Sequence, residues 1–317
     1  MLTVDFSETV ARWEPLTRPR ASDVEDTRKQ LHWAAQIVSA LGTTLGRPQV
    51  DDSHTSLEWS HAHRGLLSRP GEAAPELRAL LRFPDVTLEL LRCQGDSEQT
   101  LLSLPLEGQR FTEVFATFEA AVGEALGAKP GGCTLYRPTH ELPAHRVDPE
   151  GRGEAFGGFV GHALVELTRW FANGDRALRE LAGQDPRATP VRCWPHHFDI
   201  ATLLVIERRD PNDPSSEISR SVGVGMTPGD GSYADAYWYV TPWPYPASPE
   251  LPDLAGGGIW HKDGWVGAVL TSTALREPQA ERFTAFMASA LAHCEAMVMV
   301  RAPANRARTA TVAGDDG

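Results

Sequence analysis

The sequence has few cysteines and no long hydrophobic run, and both absences limit what the protein can be. Its four cysteines are widely spaced and include no C-x-x-C pair, so neither a disulfide framework nor a zinc ribbon is indicated. No stretch approaches the ~18 apolar residues that cross a bilayer, and the first residues lack the basic and apolar segments of a secretory signal. These features predict a cytoplasmic protein with no membrane partner.

Basic residues are also scarce. The chain has 30 Lys and Arg residues against 42 Asp and Glu residues, which gives a net charge of −12 over 317 residues. Binding to a nucleic-acid backbone depends largely on Lys and Arg side chains that neutralise phosphates, and an acidic protein repels that backbone. Nucleic acid is therefore not an expected partner. The G-x-G-x-x-G, H-E-x-x-H and G-x-S-x-G motifs are absent as well, so no familiar nucleotide or hydrolase pattern is present.

What the sequence does contain is apolar residues in two periodicities. Helical spacing predicts four helices, and short runs bounded by turn residues predict strands between them. The predicted helices are Ser22 to Leu41, Phe111 to Leu126, Glu154 to Leu181 and Phe283 to Met297. The predicted strands are 53–62, 85–92, 100–106, 191–207, 218–226, 236–243 and 264–271.

Both halves of the chain thus have the order helix, strands, helix, which predicts an α+β fold of two pseudo-repeated units. Strands joined by short turns favour an antiparallel sheet with the helices grouped on one side. We interpret the repeat as an internal duplication that sets His54 opposite His197. The predicted boundaries are a lead-in at 1–21, a first unit at 22–128, a connector at 129–153, a second unit at 154–301 and a disordered tail at 302–317.

The segment from Cys193 to Asp199 has the highest density of chemically reactive side chains. On a strand, His197 and Asp199 share one face, which suits two ligands of one metal or a histidine oriented by a carboxylate for acid–base catalysis. The alternative is that these side chains hydrogen-bond the backbone at a bend forced by Pro195. We predict catalytic roles for His197 and Asp199, and a Zn or Fe site with ligands from His196, His197, Asp199, His54 and His261.

The loop from Met226 to Pro246 is rich in aromatic residues around a Gly-Asp-Gly turn. Aromatic walls with a few convergent polar groups are typical of small-molecule sites. The alternative is a hairpin whose aromatic residues fill the core. We predict ligand binding by Tyr233, Tyr237, Trp238 and Asp230. Two further histidines, His61 and His63, have no acid near them in the sequence and are predicted to face solvent.

Three segments carry a family resemblance: LHWAAQIV from Leu31, CWPHHFDIA from Cys193 and GVGMTPGDGSYADAYWYVTPWPYP from Gly223. Together they resemble a bacterial family catalogued as domain of unknown function 5996. The family pattern has a histidine-aromatic-aspartate segment followed by a Gly- and Pro-rich aromatic motif, and these correspond to His197-Phe198-Asp199 and to residues 228–239. The resemblance implies no activity, cofactor or substrate.

Three functions are compatible with these features. The first is a metal-assisted enzyme of the hydrolase or oxygenase type, which uses the His-x-Asp motif and an open metal position for water. The second is a non-catalytic protein that binds a small molecule in an aromatic-lined pocket. The third is an interaction protein that forms a homodimer through the apolar side of its last helix.

Overall fold

A computed structural model describes residues 4–19, 21–213, 215–246 and 251–299. The tail predicted at 302–317 lies outside the described residues. None of the described helices is long and apolar enough to cross a membrane. The α-helices of the described residues are α1 (Ser7–Ala11), α2 (Ala21–Leu45), α3 (Phe111–Ala125), α4 (Gly161–Gln184) and α5 (Gln279–Met299).

A single antiparallel sheet of eleven strands runs through both halves of the described chain, in the order β10-β11-β9-β8-β7-β6-β1-β2-β3-β4-β5. The predicted α+β class is therefore confirmed. Two meanders meet at the centre of the sheet, where β1 and β6 pair through Leu57 and Cys193. The strands are β1 (Leu57–Ser60), β2 (Gly65–Ser68), β3 (Leu77–Arg82), β4 (Thr87–Gln94), β5 (Ser97–Pro105), β6 (Arg192–Trp194), β7 (Asp199–Arg208), β8 (Ile218–Thr227), β9 (Tyr237–Trp243), β10 (Ile259–His261) and β11 (Gly267–Thr271).

The core lies between the helices and one face of the sheet. Successive side chains of a strand point to opposite faces of the sheet. The paired residues Ile200, Met226 and Trp238 of three adjacent strands point to the core, and the residues before and after each of them point to the opposite face. We call that opposite face the outer face. The helix α5 packs its apolar side against β9 and β11, where Phe283 and Phe286 are fully buried. The predicted dimer surface on this helix is therefore core, and the homodimer itself stays a prediction.

Several element boundaries differ from the sequence-based expectation. The first long helix, predicted to end at Leu41, continues to Leu45, and Gly42 within it lies close to the carbonyl oxygen of His54. The predicted helix start at Glu154 is wrong, because Gly158 has a left-handed backbone and α4 begins only after Val160. The strands β2, β3 and β10 were not expected, since GLLS and LRALLR lack a clean apolar–polar alternation and IWH is only three residues long.

Close packing of α4 on the sheet yields a stability prediction. A side chain at Gly174 would press on Ile200 and Met226, whereas a side chain at Gly183 in the same helix meets nothing within 4 Å. Gly174→Leu should lower the free energy of unfolding by about 1–3 kcal/mol through overpacking. The matched change Gly183→Leu should be neutral or stabilising by up to ~1 kcal/mol, because leucine favours helix. Urea denaturation of both variants tests this, and equal effects would contradict the packing described.

Candidate functional site

The reactive segment of the sequence forms a tight turn between β6 and β7 rather than a continuous strand. Residues 195–198 make this β6–β7 turn, in which the N–H groups of His197 and Phe198 both donate to the carbonyl of Trp194. Phe198 has a φ of 57°, a left-handed value that is strained for a bulky residue. Of His197 and Asp199, only Asp199 belongs to a strand. The prediction that His197 and Asp199 share a strand face is therefore wrong. A turn does follow Pro195, but the hydrogen bonds from these side chains to the backbone that the alternative proposed are not found among the described residues.

The helix α2 fixes this turn through one carbonyl oxygen. The Pro195 carbonyl accepts a hydrogen bond from His32 Nε2 at 2.7 Å and another from Gln36 Nε2 at 2.7 Å. The His32 ring also stacks on Phe198, with 5.0 Å between ring centroids and 11° between ring planes. A carbonyl accepts only from a protonated nitrogen, so His32 carries its proton on Nε2. Burial lowers the pKa of His32 to about 3, which keeps the ring neutral.

A chain of imidazoles continues from this contact toward solvent. His140 of the connector lies 3.0 Å from Gln36 Oε1 through its Nε2 atom, and its ring is 5.9 Å from that of His196. The rings of His196 and His197 are 4.2 Å apart. Burial, helped by the neighbouring histidines, lowers the pKa of His196 to about 4, whereas the His197 side chain is exposed. The turn therefore presents neutral ring nitrogens beside a solvent-accessible imidazole.

Asp199 is the main buried acid of the site. Its side chain lies on the outer face of the sheet and the residue is only 8% exposed. Tyr239 donates its hydroxyl hydrogen bond to Asp199 Oδ2 at 2.5 Å, while Asp199 Oδ1 has no hydrogen-bond partner among the described residues. Burial raises the pKa of Asp199 above its ordinary range, although the Tyr239 hydroxyl and His197 act in the opposite direction. Most buried polar atoms are satisfied, so an unpartnered carboxylate oxygen is a notable feature.

Glycine makes the contact between Asp199 and Tyr239 possible. The strand register sets Gly225 of β8 between Ala201 of β7 and Tyr239 of β9. A Cβ atom at Gly225 would collide with the Tyr239 phenol. The ring can thus lie across β8 and reach the acid two strands away.

The loop between β8 and β9 holds a second acid and tyrosine. Asp230 accepts the Tyr237 hydroxyl hydrogen bond at 2.5 Å and the N–H groups of Ser232 and Tyr233 at 2.7 and 3.1 Å. The guanidinium of Arg28, from α2, donates to the carbonyl of Gly229. Burial and the nearby Asp230 carboxylate raise the pKa of Tyr237 above its ordinary range. The Tyr237 ring is 6.3 Å from that of Tyr239, so this acid–tyrosine pair lies next to the Asp199 site.

The structure separates several residues that the sequence analysis grouped. Trp238 is fully buried on the core face, where its ring packs 4.5 Å from that of Phe283, so it is not part of a site with Tyr237. His261 lies 3.0 Å from the Tyr233 hydroxyl and 2.7 Å from the carbonyl of Asp263. His54 accepts the N–H of Gln49 at 3.2 Å.

These placements bear directly on the predicted metal site. No group of three or more His, Cys, Asp or Glu side chains within the described residues could hold a metal ion. The set His196, His197, Asp199, His54 and His261 therefore does not fit zinc or iron, which need three or four converging donors.

Sequence reasoning missed Arg28, His32, Gln36 and Tyr239. The first three recur every fourth residue and so lie on one side of α2, a polar stripe in a mostly buried helix that the sequence displays. Tyr239 alternates with Tyr237, and the same argument that selected Tyr237 could have included it.

One cavity lies away from these residues. It measures about 480 Å³ and is bordered by Thr17, Glu166, Trp170, Asp235 and Ser272, among others. Both Glu166 oxygens already accept hydrogen bonds, from the N–H of Thr17 and the indole of Trp170 among others. The cavity does not include Asp199, whose Oδ1 atom, like that of Asp175, is buried with no hydrogen-bond partner among the described residues.

Comparisons of the chain with protein-family models, curated proteins and solved structures give no match. The resemblance to domain of unknown function 5996 thus stays a prediction, and the site has to be interpreted from its own chemistry.

The Asp199 pKa can be measured directly. We expect ¹³C NMR of the aspartate carboxyl groups to show Asp199 titrating above the ordinary value, because burial disfavours the ionised form. Tyr239→Phe should raise this pKa further, since the lost hydroxyl stabilises the carboxylate. Tyr233→Phe removes a hydroxyl that bonds to His261 instead and should leave the value unchanged. An Asp199 pKa at or below its ordinary range would contradict this account.

His32 should make folding sensitive to acid. The unfolded chain binds a proton at His32 below pH ~6.5, whereas the folded chain does so only near pH 3, so acidification between these values favours unfolding. Arg28, His140 and His197 oppose the charged ring as well. The expected loss of unfolding free energy is on the order of 2 kcal/mol at pH 5.

The measurement compares denaturation at pH 7 and pH 5. His32→Gln keeps an N–H donor and does not titrate, so its stability should fall less between these pH values than that of the wild type. The control His162→Gln changes an exposed histidine and should retain the full pH dependence. Equal pH dependence in His32→Gln and the wild type would refute the assignment.

Proposed function

We propose that this protein binds a small cationic molecule and that Asp199 anchors it. The observation that supports this is the Oδ1 atom of Asp199, which has no hydrogen-bond partner in the described part of the chain, although the carboxylate is buried and its Oδ2 atom is hydrogen-bonded. A buried charge without full hydrogen bonding is costly, and a ligand that donates a hydrogen bond would offset that cost.

The local charges favour a cation over a neutral or anionic ligand. Asp230 acts on Asp199 as a like charge and raises its pKa. The nearby Arg28 already donates to a backbone carbonyl. An amine or amidine would therefore be attracted by two carboxylates, and the half-buried Tyr239 ring offers a face for cation–π contact.

A matched set of probes tests the proposal: benzamidinium, its neutral isostere benzamide, and benzoate. Ligand-observed NMR titrations should show benzamidinium binding more tightly than the other two. Asp199→Asn should weaken benzamidinium binding by about 10-fold or more, the scale of one charged hydrogen bond. Asp213→Asn is the control, because it removes the same charge from an exposed loop. Equal benzamidinium affinity in the two variants would refute the proposal.

A proton-transfer enzyme is the second candidate function. It is supported by the raised pKa of Asp199, since a carboxyl group that stays protonated closer to neutral pH can act as a general acid. In this alternative, Asp199 would donate its proton to a bound substrate and Tyr239 would stabilise the resulting carboxylate. The metal-assisted form of the enzyme hypothesis is not carried forward, because the donor set does not fit a metal ion.

We further propose that the two halves arose by duplication. In the first half, the long helix α2 contacts β2 and β3, and the later helix α3 contacts β4 and β5. In the second half, the long helix α4 contacts β7 and β8, and the later helix α5 contacts β9 and β11. The turn between β1 and β2, residues 61–64, then corresponds to the β6–β7 turn, and Arg64 and Phe198 have matching φ values of 54° and 57°. In this register His63, rather than His54, stands opposite His197.

Superposition of the two halves in a crystal structure tests the duplication. The turn 61–64 should overlay the turn 195–198 when the long helices and central strands are aligned. A best overlay in a different register would contradict it.

A further inference from the structure

The β1–β2 turn (61–64) lies outside the Asp199 site and carries a reactive-looking arrangement of its own. His63 Nδ1 lies 2.8 Å from Ser60 Oγ, and His63 Nε2 lies 3.0 Å from Glu98 Oε1. Ser60 ends β1 on the outer face, and Glu98 lies near the tip of the β4–β5 hairpin. A hydroxyl of β1, an imidazole of the turn and a carboxylate of β5 are thus joined by two hydrogen bonds.

The hydrogen bonds determine where the protons are. An ionised carboxylate only accepts, so His63 must carry a proton on Nε2 to bond with Glu98. In the neutral ring Nδ1 is then an acceptor, and Ser60 must donate its hydroxyl proton to it. This is the protonation state in which an imidazole can act as general base toward a serine, with the acid orienting the ring.

The turn is also held rigidly by contacts to other elements. His61 Nε2 lies 3.1 Å from Asp175 Oδ2, on α4, and Asp175 is almost fully buried. The guanidinium of Arg64 makes two hydrogen bonds of 2.6 Å with Glu14. The side chains of His61, His63 and Arg64 are therefore each anchored by an acid far away in the sequence. A fixed scaffold of this kind is what a positioned nucleophile requires.

We propose that Ser60 is an activated nucleophile and that this turn hydrolyses small activated esters. Ser60 Oγ forms a bond to the acyl carbon while its proton passes to His63 Nδ1. The tetrahedral intermediate then breaks the ester bond, and the leaving alkoxide takes the proton from Nδ1. Water repeats the sequence on the acyl-serine, so that ester and water give acid and alcohol.

Glu98 supports the reaction proposed for Ser60 and His63 through its hydrogen bond to the His63 ring. Glu98 is a positioning residue, because it orients His63 and stabilises the imidazolium that forms. The competing structural role is a turn cap, since the Ser60 hydroxyl also accepts the His63 N–H at 3.4 Å.

A fluorophosphonate probe distinguishes these roles, because it reacts with activated serines and the labelled peptide can be identified by mass spectrometry. We expect the full-length protein to be labelled at Ser60, with p-nitrophenyl acetate hydrolysis lost in Ser60→Ala. His63→Gln should lower the labelling rate by about 100-fold or more, the scale of general-base catalysis. Ser103→Ala is the matched control, since this strand serine faces Glu89 and should leave both readouts unchanged.

Glu98 gives a separate test of positioning. Glu98→Gln should slow labelling, and Glu98→Asp should restore part of the rate, at unchanged melting temperature. Two outcomes would overturn the proposal and leave the serine as a turn cap. One is that Ser60 is not labelled, and the other is that it is labelled at the same rate in the wild type and in His63→Gln. Because the His63→Gln comparison reads the Ser60 peptide itself, the test holds even if Ser60→Ala does not fold.

Discussion

The Pro195 carbonyl oxygen is the point on which much of this structure depends. It accepts hydrogen bonds from two side chains of α2, His32 and Gln36, and so ties the first half of the chain to a turn of the second half. The sheet itself joins the halves through a single residue pair between β1 and β6. Helix-to-turn contacts must therefore supply much of the connection, and the ring of Phe83 adds to it by packing against Phe171 and Phe198 of the second half.

The same constraint explains how Asp199 is buried next to a solvent-exposed histidine. The left-handed backbone at Phe198 directs its ring into the core, where His32 covers it, and the next residue then begins β7 on the outer face. Folding thus forces an acid into a weakly solvated position and leaves one of its oxygens without a partner among the residues that the structure describes. Such positions reduce stability and are typical of functional sites, which is why the site is interpreted chemically rather than as core packing.

The sequence predicts the architecture better than the site, for physical reasons. Apolar periodicity depends on local geometry, so it located the helices near Phe111 and Phe283 and the strands β8 and β9. The site depends on contacts between residues that are far apart in the sequence, such as His32 and Pro195. It also depends on a positive φ at Phe198, which cannot be predicted from the residue type. Asp199 was identified because a His-x-Asp segment is unusual, but its hydrogen bond with Tyr239 follows only from the strand order and from Gly225.

The histidines of the β1–β2 turn also have partners that the sequence alone does not reveal. His61 and His63 have no acid nearby in the sequence, which favoured a solvent-facing interpretation. Folding brings Asp175 to the first and Glu98 to the second, across 114 and 35 residues of sequence. The helix α4 holds this turn as α2 holds the turn at Pro195, so each half of the chain orders a turn of the other half. A substitution in α2 or α4 that removes one of these contacts should therefore alter the position of a polar turn. Neither half alone provides all the contacts that fix its own turn.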